Sequence, residues 1–278
     1  MGKHSIKNPD SFSDSIEMLL TGAGCVHPEY CLDILSERCF YLAFENNSKT
    51  WIQTGLSVKE SINNLFQNTG ILLKVTNTNL LTQEQLSVIG KEGAVIGPIE
   101  RKQFNQAVED MYFLGGKHFV YLAGIVDDCF ILHDPDSSPC ILVEIRLFEE
   151  FIRQTDAYCI TFEREMLHPV DYKKIINCNL IERRRELVPV ELPVLNNGIG
   201  SLASYKYGLR LYLYYQREIF DLIISRDSSA ALLSARESFF QYAAEGFGKC
   251  DWNYFWKIVE RGEDLLYKAA KKYVRDNF

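Results

Sequence analysis

"GGKHFVYLAGIVDDCFILHDPDSSPCILVEI", residues 115–145, decides the fold class. It holds three apolar runs, "KHFVYLAGI", "DCFILHD" and "CILVEIR", separated by the turn-forming "DD" and "DPDSS". Runs of this kind with such breaks predict three successive strands of an antiparallel sheet. His118 opens the first strand and Asp134 closes the second. Antiparallel neighbours lie about 5 Å apart, so a residue near one strand's start can face one near the next strand's end. The spacing therefore permits a His118–Asp134 contact. A carboxylate beside an imidazole fixes its tautomer and steadies its charged form, which is what a general base near neutral pH requires. Such a pair across a hairpin also occurs for structural reasons alone. His133 is directed to the face opposite its neighbour Asp134 by strand alternation and reads as a turn or surface histidine. Asp136 is the alternative to Asp134.

Working outward, "GILLKVT", "GAVIGPIE" and "AYCITFE" predict further strands, the second closed by Gly97-Pro98. "SVKESINNLFQN" (57–68) and "LFEEFIRQ" predict amphipathic helices. In "DSFSDSIEMLLTGAG", Phe12, Ile16, Leu19, Leu20 and Ala23 recur at helical spacing and form one stripe for burial. Ser11 and Asp14 resemble a capping box, and Gly22 and Gly24 end that helix. A second helix is expected from Pro28, carrying Tyr30, Leu32, Leu35 and Cys39, and "CFYLAFE" after it is expected to be extended. Helices packed on an antiparallel sheet make an α+β class. From residue 201 onward three helices are predicted. Their aromatic stripes (Tyr205, Tyr212, Phe220; Phe239, Tyr242; Phe255, Trp256) are read as packing. The expected organisation is a first domain over 1–165, a connector over 166–195 and a helical domain over 196–278.

The 278 residues include 47% hydrophobic and 24% charged side chains, ordinary globular usage. A net charge of −7 argues against a nucleic-acid surface, and the basic run 183–185 is flanked by Glu182 and Glu186. No run of apolar residues is long enough to cross a membrane, so no membrane association is expected. The opening "MGKHSIKNPDS" predicts neither a secretory leader nor myristoylation. The eight cysteines show no CxxC pair and read as reduced thiols of a cytoplasmic protein. No cofactor is expected, and no metal, since His118 and His133 lack cysteine partners at ligand spacing.

"KHFVYLAGIVDDCFILHDPDSSPC", with "GAVIGPIE" upstream and "LFEEFI" downstream, resembles the papain-like domain at the N-terminus of butirosin biosynthesis protein H and its relatives. That group is itself similar to the bacteriocin-processing cysteine peptidases of ABC transporters. The resemblance covers roughly residues 9–163, and the helical tail agrees with the extension many relatives carry. It implies a papain-like fold, a cysteine nucleophile at the N-terminus of the first long helix, His118 as base and Asp134 as orienter. A helix N-terminus suits that role, because its partial positive charge and unpaired N–H groups lower a thiol's pKa and bind an oxyanion.

This chain departs from the pattern at the nucleophile. The N-terminus of "SFSDSIEMLLTGAG" holds Ser11 and Ser13 and no cysteine; the simplest register puts Ser11 there. Cys25, in "GAGC", would be the nucleophile only if the second helix were the family's central one. Three readings stay open: Ser11 occupies the site, Cys25 does, or neither does and Ser11 only caps a helix. The resemblance implies acyl transfer from a carrier-protein thioester to an amine in secondary-metabolite biosynthesis, with peptidase or amidase action as a variant. Arg210, Arg217 and Arg236 would then be candidates to meet a carrier's phosphopantetheine phosphate, against the plainer reading of surface arginines. The reading from the other class is a non-catalytic papain-like binding module. Oligomeric state is not legible.

Overall fold

Alternating and helical apolar spacings resolve into the following elements in the computed structural model, which describes residues 11–25, 32–45, 51–54, 56–100, 117–135, 140–182, 199–226, 229–249 and 251–275. In chain order they are α1 (Ser11–Gly22), α2 (Leu32–Leu35), β1 (Leu42–Glu45), β2 (Trp51–Thr54), α3 (Val58–Thr69), β3 (Ile71–Asn77), α4 (Gln83–Glu92), β4 (Ala94–Glu100), β5 (Lys117–Val126), β6 (Cys129–His133), β7 (Ile141–Glu144), α5 (Ile145–Arg153), β8 (Tyr158–Glu165), α6 (Tyr172–Ile176), α7 (Ile199–Arg226), α8 (Ala230–Lys249) and α9 (Trp252–Arg275). The class is mixed α+β. The chain divides into two units, Met1–Leu32 with Thr69–His168, and Asp33–Asn68 with Pro169–Phe278. The sequence places Asp33–Asn68 in the first domain, whereas its contacts put it in the second unit.

The first unit is built on a six-stranded antiparallel sheet in the order β3-β8-β4-β5-β6-β7. Apolar residues alternate across it. Ile96, Val120, Leu122, Phe130 and Leu132 face a core completed by Leu86 of α4 and by Phe148 and Ile152 of α5. Each such large side chain taken from water contributes about 1.5–3 kcal/mol. Phe119, on the other phase of β5, meets Phe12 of α1 edge-on at 5.1 Å between centroids. Helix α1 therefore lies against the opposite face, with Phe12, Ile16, Leu19 and Leu20 buried as its stripe requires. Strand β4 runs through Gly97-Pro98 to Glu100 and does not close there. Its register against β5 shifts between Ile96 and Ile99, which takes Pro98, lacking an N–H, out of the ladder.

The second unit holds the β1–β2 hairpin and the helices α3 and α6 to α9. "CFYLAFE" is extended only over β1; Arg38–Phe40 forms a 3₁₀ turn. The helix expected from Pro28 is described only as the single turn α2, and Pro28, Tyr30 and Cys31 lie outside the described residues. Within the expected connector, α6 continues as a π-helical stretch Asn177–Glu182, and residues 183–195 again lie outside the described ones. In the three long helices Tyr205, Tyr212, Phe220, Phe239 and Phe255 are buried. Their stripes pack, and the Tyr205 and Tyr212 hydroxyls donate to the carbonyls of Gly246 and Val259. Among the described residues no helix is long and apolar enough to cross a membrane.

Candidate functional site

The β5–β6 hairpin sets the site. Its register pairs Tyr121 with His133, which puts His118 and Asp134 beyond the last paired residues at the same end of the two strands. Tyr121 and His133 share a face and stack, 6.0 Å between ring centroids. Alternation then sends His118 and Asp134 together to the other phase of the strands. His118 Nε2 lies 2.9 Å from Asp134 Oδ1, with 2% and 0% of the two side chains exposed. The sequence reading of which histidine faces which carboxylate agrees with this geometry. Asp136 lies outside the described residues.

Ser11 stands at the first residue of α1, and its hydroxyl accepts the N–H of Phe119 at 3.0 Å. Phe119 immediately follows His118, so the serine oxygen rests on the peptide that carries the histidine. The expected capping role gives way to this tie between α1 and β5, made by a side chain 5% exposed. A hydroxyl that accepts an N–H keeps its own proton to give. An N–H aimed at the oxygen also favours the charge that develops there when the proton leaves. Since Nε2 takes the Asp134 bond, a proton passed to this imidazole from a nucleophile would go to Nδ1.

Cys25 lies just past the other end of α1, a 12-residue helix about 18 Å long. Gly24, with φ +77°, lets the chain leave the helix, and the Cys25 N–H closes the end on the Leu20 carbonyl. The thiol donates to Glu165 Oε2 at 2.8 Å. Burial first, then the Glu165 hydrogen bond and its charge, push the Cys25 thiol up to about 12. A helix C-terminus carries partial negative charge, which opposes a thiolate as well. The structure thus pairs His118 with Asp134, ties Ser11 to the peptide that follows His118, and leaves Cys25 apart as a protonated thiol. Among the described residues no three His, Cys, Asp or Glu side chains are grouped to hold a metal ion.

The Phe119 N–H is the element that sequence reasoning missed. No local pattern announces it, because it joins residues 108 positions apart. Compared with known proteins, the chain matches no protein-family model and no curated protein.

Proposed function

We propose that the first unit is a papain-like acyl-transfer domain in which Ser11 stands where relatives of this type carry cysteine. In this reading Ser11 is the nucleophile, His118 takes its proton, Asp134 orients the imidazole, and N–H groups at the start of α1 meet the oxyanion. The observation that carries it is the buried 2.9 Å His118–Asp134 bond, with the Ser11 hydroxyl held at 3.0 Å on the adjoining peptide. A serine hydroxyl is a far weaker acid than a thiol, so its proton must move to His118 during attack. The acyl donor would be a carrier-protein thioester and the acceptor an amine, as the resemblance to the butirosin protein H group implies. A cytoplasmic setting belongs to the same proposal and is in keeping with cysteines that form no disulfide among the described residues.

The second reading is a papain-like module that binds without catalysis. One observation favours it: Ser11, His118 and Asp134 are all buried, and a substrate has to reach the oxygen that attacks.

A small acyl thioester and a serine-directed acylating probe separate the two readings. Intact mass should show one acyl adduct, mapped to Ser11 and absent from Ser11→Ala and His118→Ala. A protein that stays unmodified by both reagents, while remaining folded, overturns the enzyme reading in favour of the module.

A further inference from the structure

Two arginines of the helical unit converge on one aromatic ring. The guanidinium carbons of Arg217 on α7 and Arg236 on α8 lie 5.6 and 5.2 Å from the centroid of Phe240. The ring is held in place by Phe220 and Phe239, both buried and both edge-on to it. Arg236 also reaches Asp221, a carboxylate 53% exposed. Among the described residues Arg217 has no carboxylate at ion-pair distance, and the Arg236 Nε is buried without an acceptor. Of these two cations only Arg236 has a carboxylate partner, in a chain whose net charge is −7.

We infer that Arg217 and Arg236 form a binding site for a phosphate group above Phe240. The ring gathers both guanidiniums through cation–π attraction, and their N–H groups remain donors to be satisfied. A guanidinium presents its donors as a planar fork that matches the oxygens of a phosphate, and being fixed in advance it loses little freedom on binding. A carboxylate has two oxygens and can fill at most one fork; Asp221 meets Arg236 through a single oxygen. A tetrahedral phosphate has oxygens enough for two forks at once and supplies the negative charge the pair lacks. Asp221 is the competitor that the phosphate displaces from Arg236. Arg210, the third arginine of the sequence reading, is exposed on α7 and is not required. The phosphate comes either from solution or from an ester such as the arm of a carrier protein. The site stands without the acyl-transfer reading.

The test is titration of the full chain, and separately of the Ser11→Ala chain, with inorganic phosphate and then with phosphopantetheine at low ionic strength. Binding is followed through the NMR signals of the arginine Nε–Hε groups. Both ligands should bind saturably, moving the Arg217 and Arg236 signals, with affinity falling on the order of tenfold in Arg217→Met. Asp221→Asn should bind more tightly, a gain that no folding defect can mimic. Shifts that chloride reproduces at equal ionic strength, or an Arg217→Met protein that binds as the parent does, would overturn the site. Response to phosphopantetheine without response to inorganic phosphate would overturn phosphate as the group recognised. A Ser11→Ala protein that binds while transferring no acyl group separates this inference from the catalytic one.

Discussion

His118 and Asp134 form a buried pair: Nε2 and Oδ1 are 2.9 Å apart, and the carboxylate's side chain has no exposed surface. Removing one member takes a buried hydrogen bond from the other, which costs more than the pair itself contributes. Asp134→Ala should therefore lower unfolding stability by about 3–5 kcal/mol. Asp134→Asn, which keeps an acceptor for the ring, should lose less. The joint replacement His118→Leu with Asp134→Leu should recover part of the loss, since neither member of the pair is then left facing an apolar replacement. Urea unfolding of the four proteins measures this, and a loss below about 1 kcal/mol in Asp134→Ala would mean that water reaches the pair.

Cys25 gives a prediction with a definite sign. Its thiol, and that of buried Cys159, are pushed up to about 12 from a starting value of 9.0. In the folded state both stay protonated at pH values where an unfolded chain has already released those protons. The unfolded state then binds fewer protons, so stability falls as pH rises. The stability these thiols contribute is fully present below about pH 9 and is lost progressively toward pH 12. The unfolding midpoint in urea should be lower at about pH 10 than at about pH 8, and Cys25→Ala should flatten that slope. An unchanged slope in Cys25→Ala would show that this thiol ionises as readily in the folded chain. The same protonation makes Cys25 slow toward thiol-reactive electrophiles near neutral pH.

The hairpin around His118 was legible because its determinants are local. Alternation, the Asp127–Asp128 turn with Asp127 at φ +50°, and the Asp-Pro after β6 lie within a few residues of one another. Asp tolerates that left-handed backbone better than most residues, so the turn announces itself. Helix α4 carries a comparable local signal, a capping box in which Thr82 and Gln85 exchange hydrogen bonds. The apolar positions that follow it are too few to mark a stripe. Membership of Asp33–Asn68 in the second unit has no local signature, because it rests on contacts with segments that follow residue 168. The Ser11–Phe119 tie is the same kind of feature: α1 was readable from its stripe, and the strand its first residue touches was not.

Gly262 tests the helical unit. On α9 it lies against the Tyr212 hydroxyl and the ring of Phe239, with a Cβ at that position coming 2.8 Å from the Phe239 ring. Gly in a helix interior is costly by itself, so its presence there reflects the close approach. Gly262→Val should cost about 1–3 kcal/mol through overpacking, despite a gain in helix propensity. Tyr212→Phe removes the hydroxyl at the contact and should relieve part of the cost, although it leaves the Val259 carbonyl without its donor. Thermal unfolding of both single variants and the double variant measures the coupling. Additive losses would show that Tyr212 does not press on this glycine.

Ser11→Cys is the substitution that asks most directly whether the histidine serves position 11. A thiol there stands at the start of α1, where the helix's partial positive charge favours a thiolate, against the peptide that follows the Asp134-paired His118. The Phe119 N–H that now donates to the serine oxygen would point at the sulfur. If His118 reaches this position, the installed thiol should ionise near neutral pH and react on the order of tenfold faster than an unassisted thiol. The rate should drop to that of an unassisted thiol in the combined Ser11→Cys, His118→Ala protein. Peptide mapping after brief labelling distinguishes it from the native cysteines, of which Cys25 is held protonated by burial and by its bond to Glu165. A fast, His118-dependent reaction would mean that native Ser11 lies in line with a working base and that only its weaker acidity separates it from a cysteine enzyme. An installed thiol that reacts no faster than an unassisted one would mean that the ring does not serve position 11. Burial of the pair would then be structural, and the binding-module reading would stand.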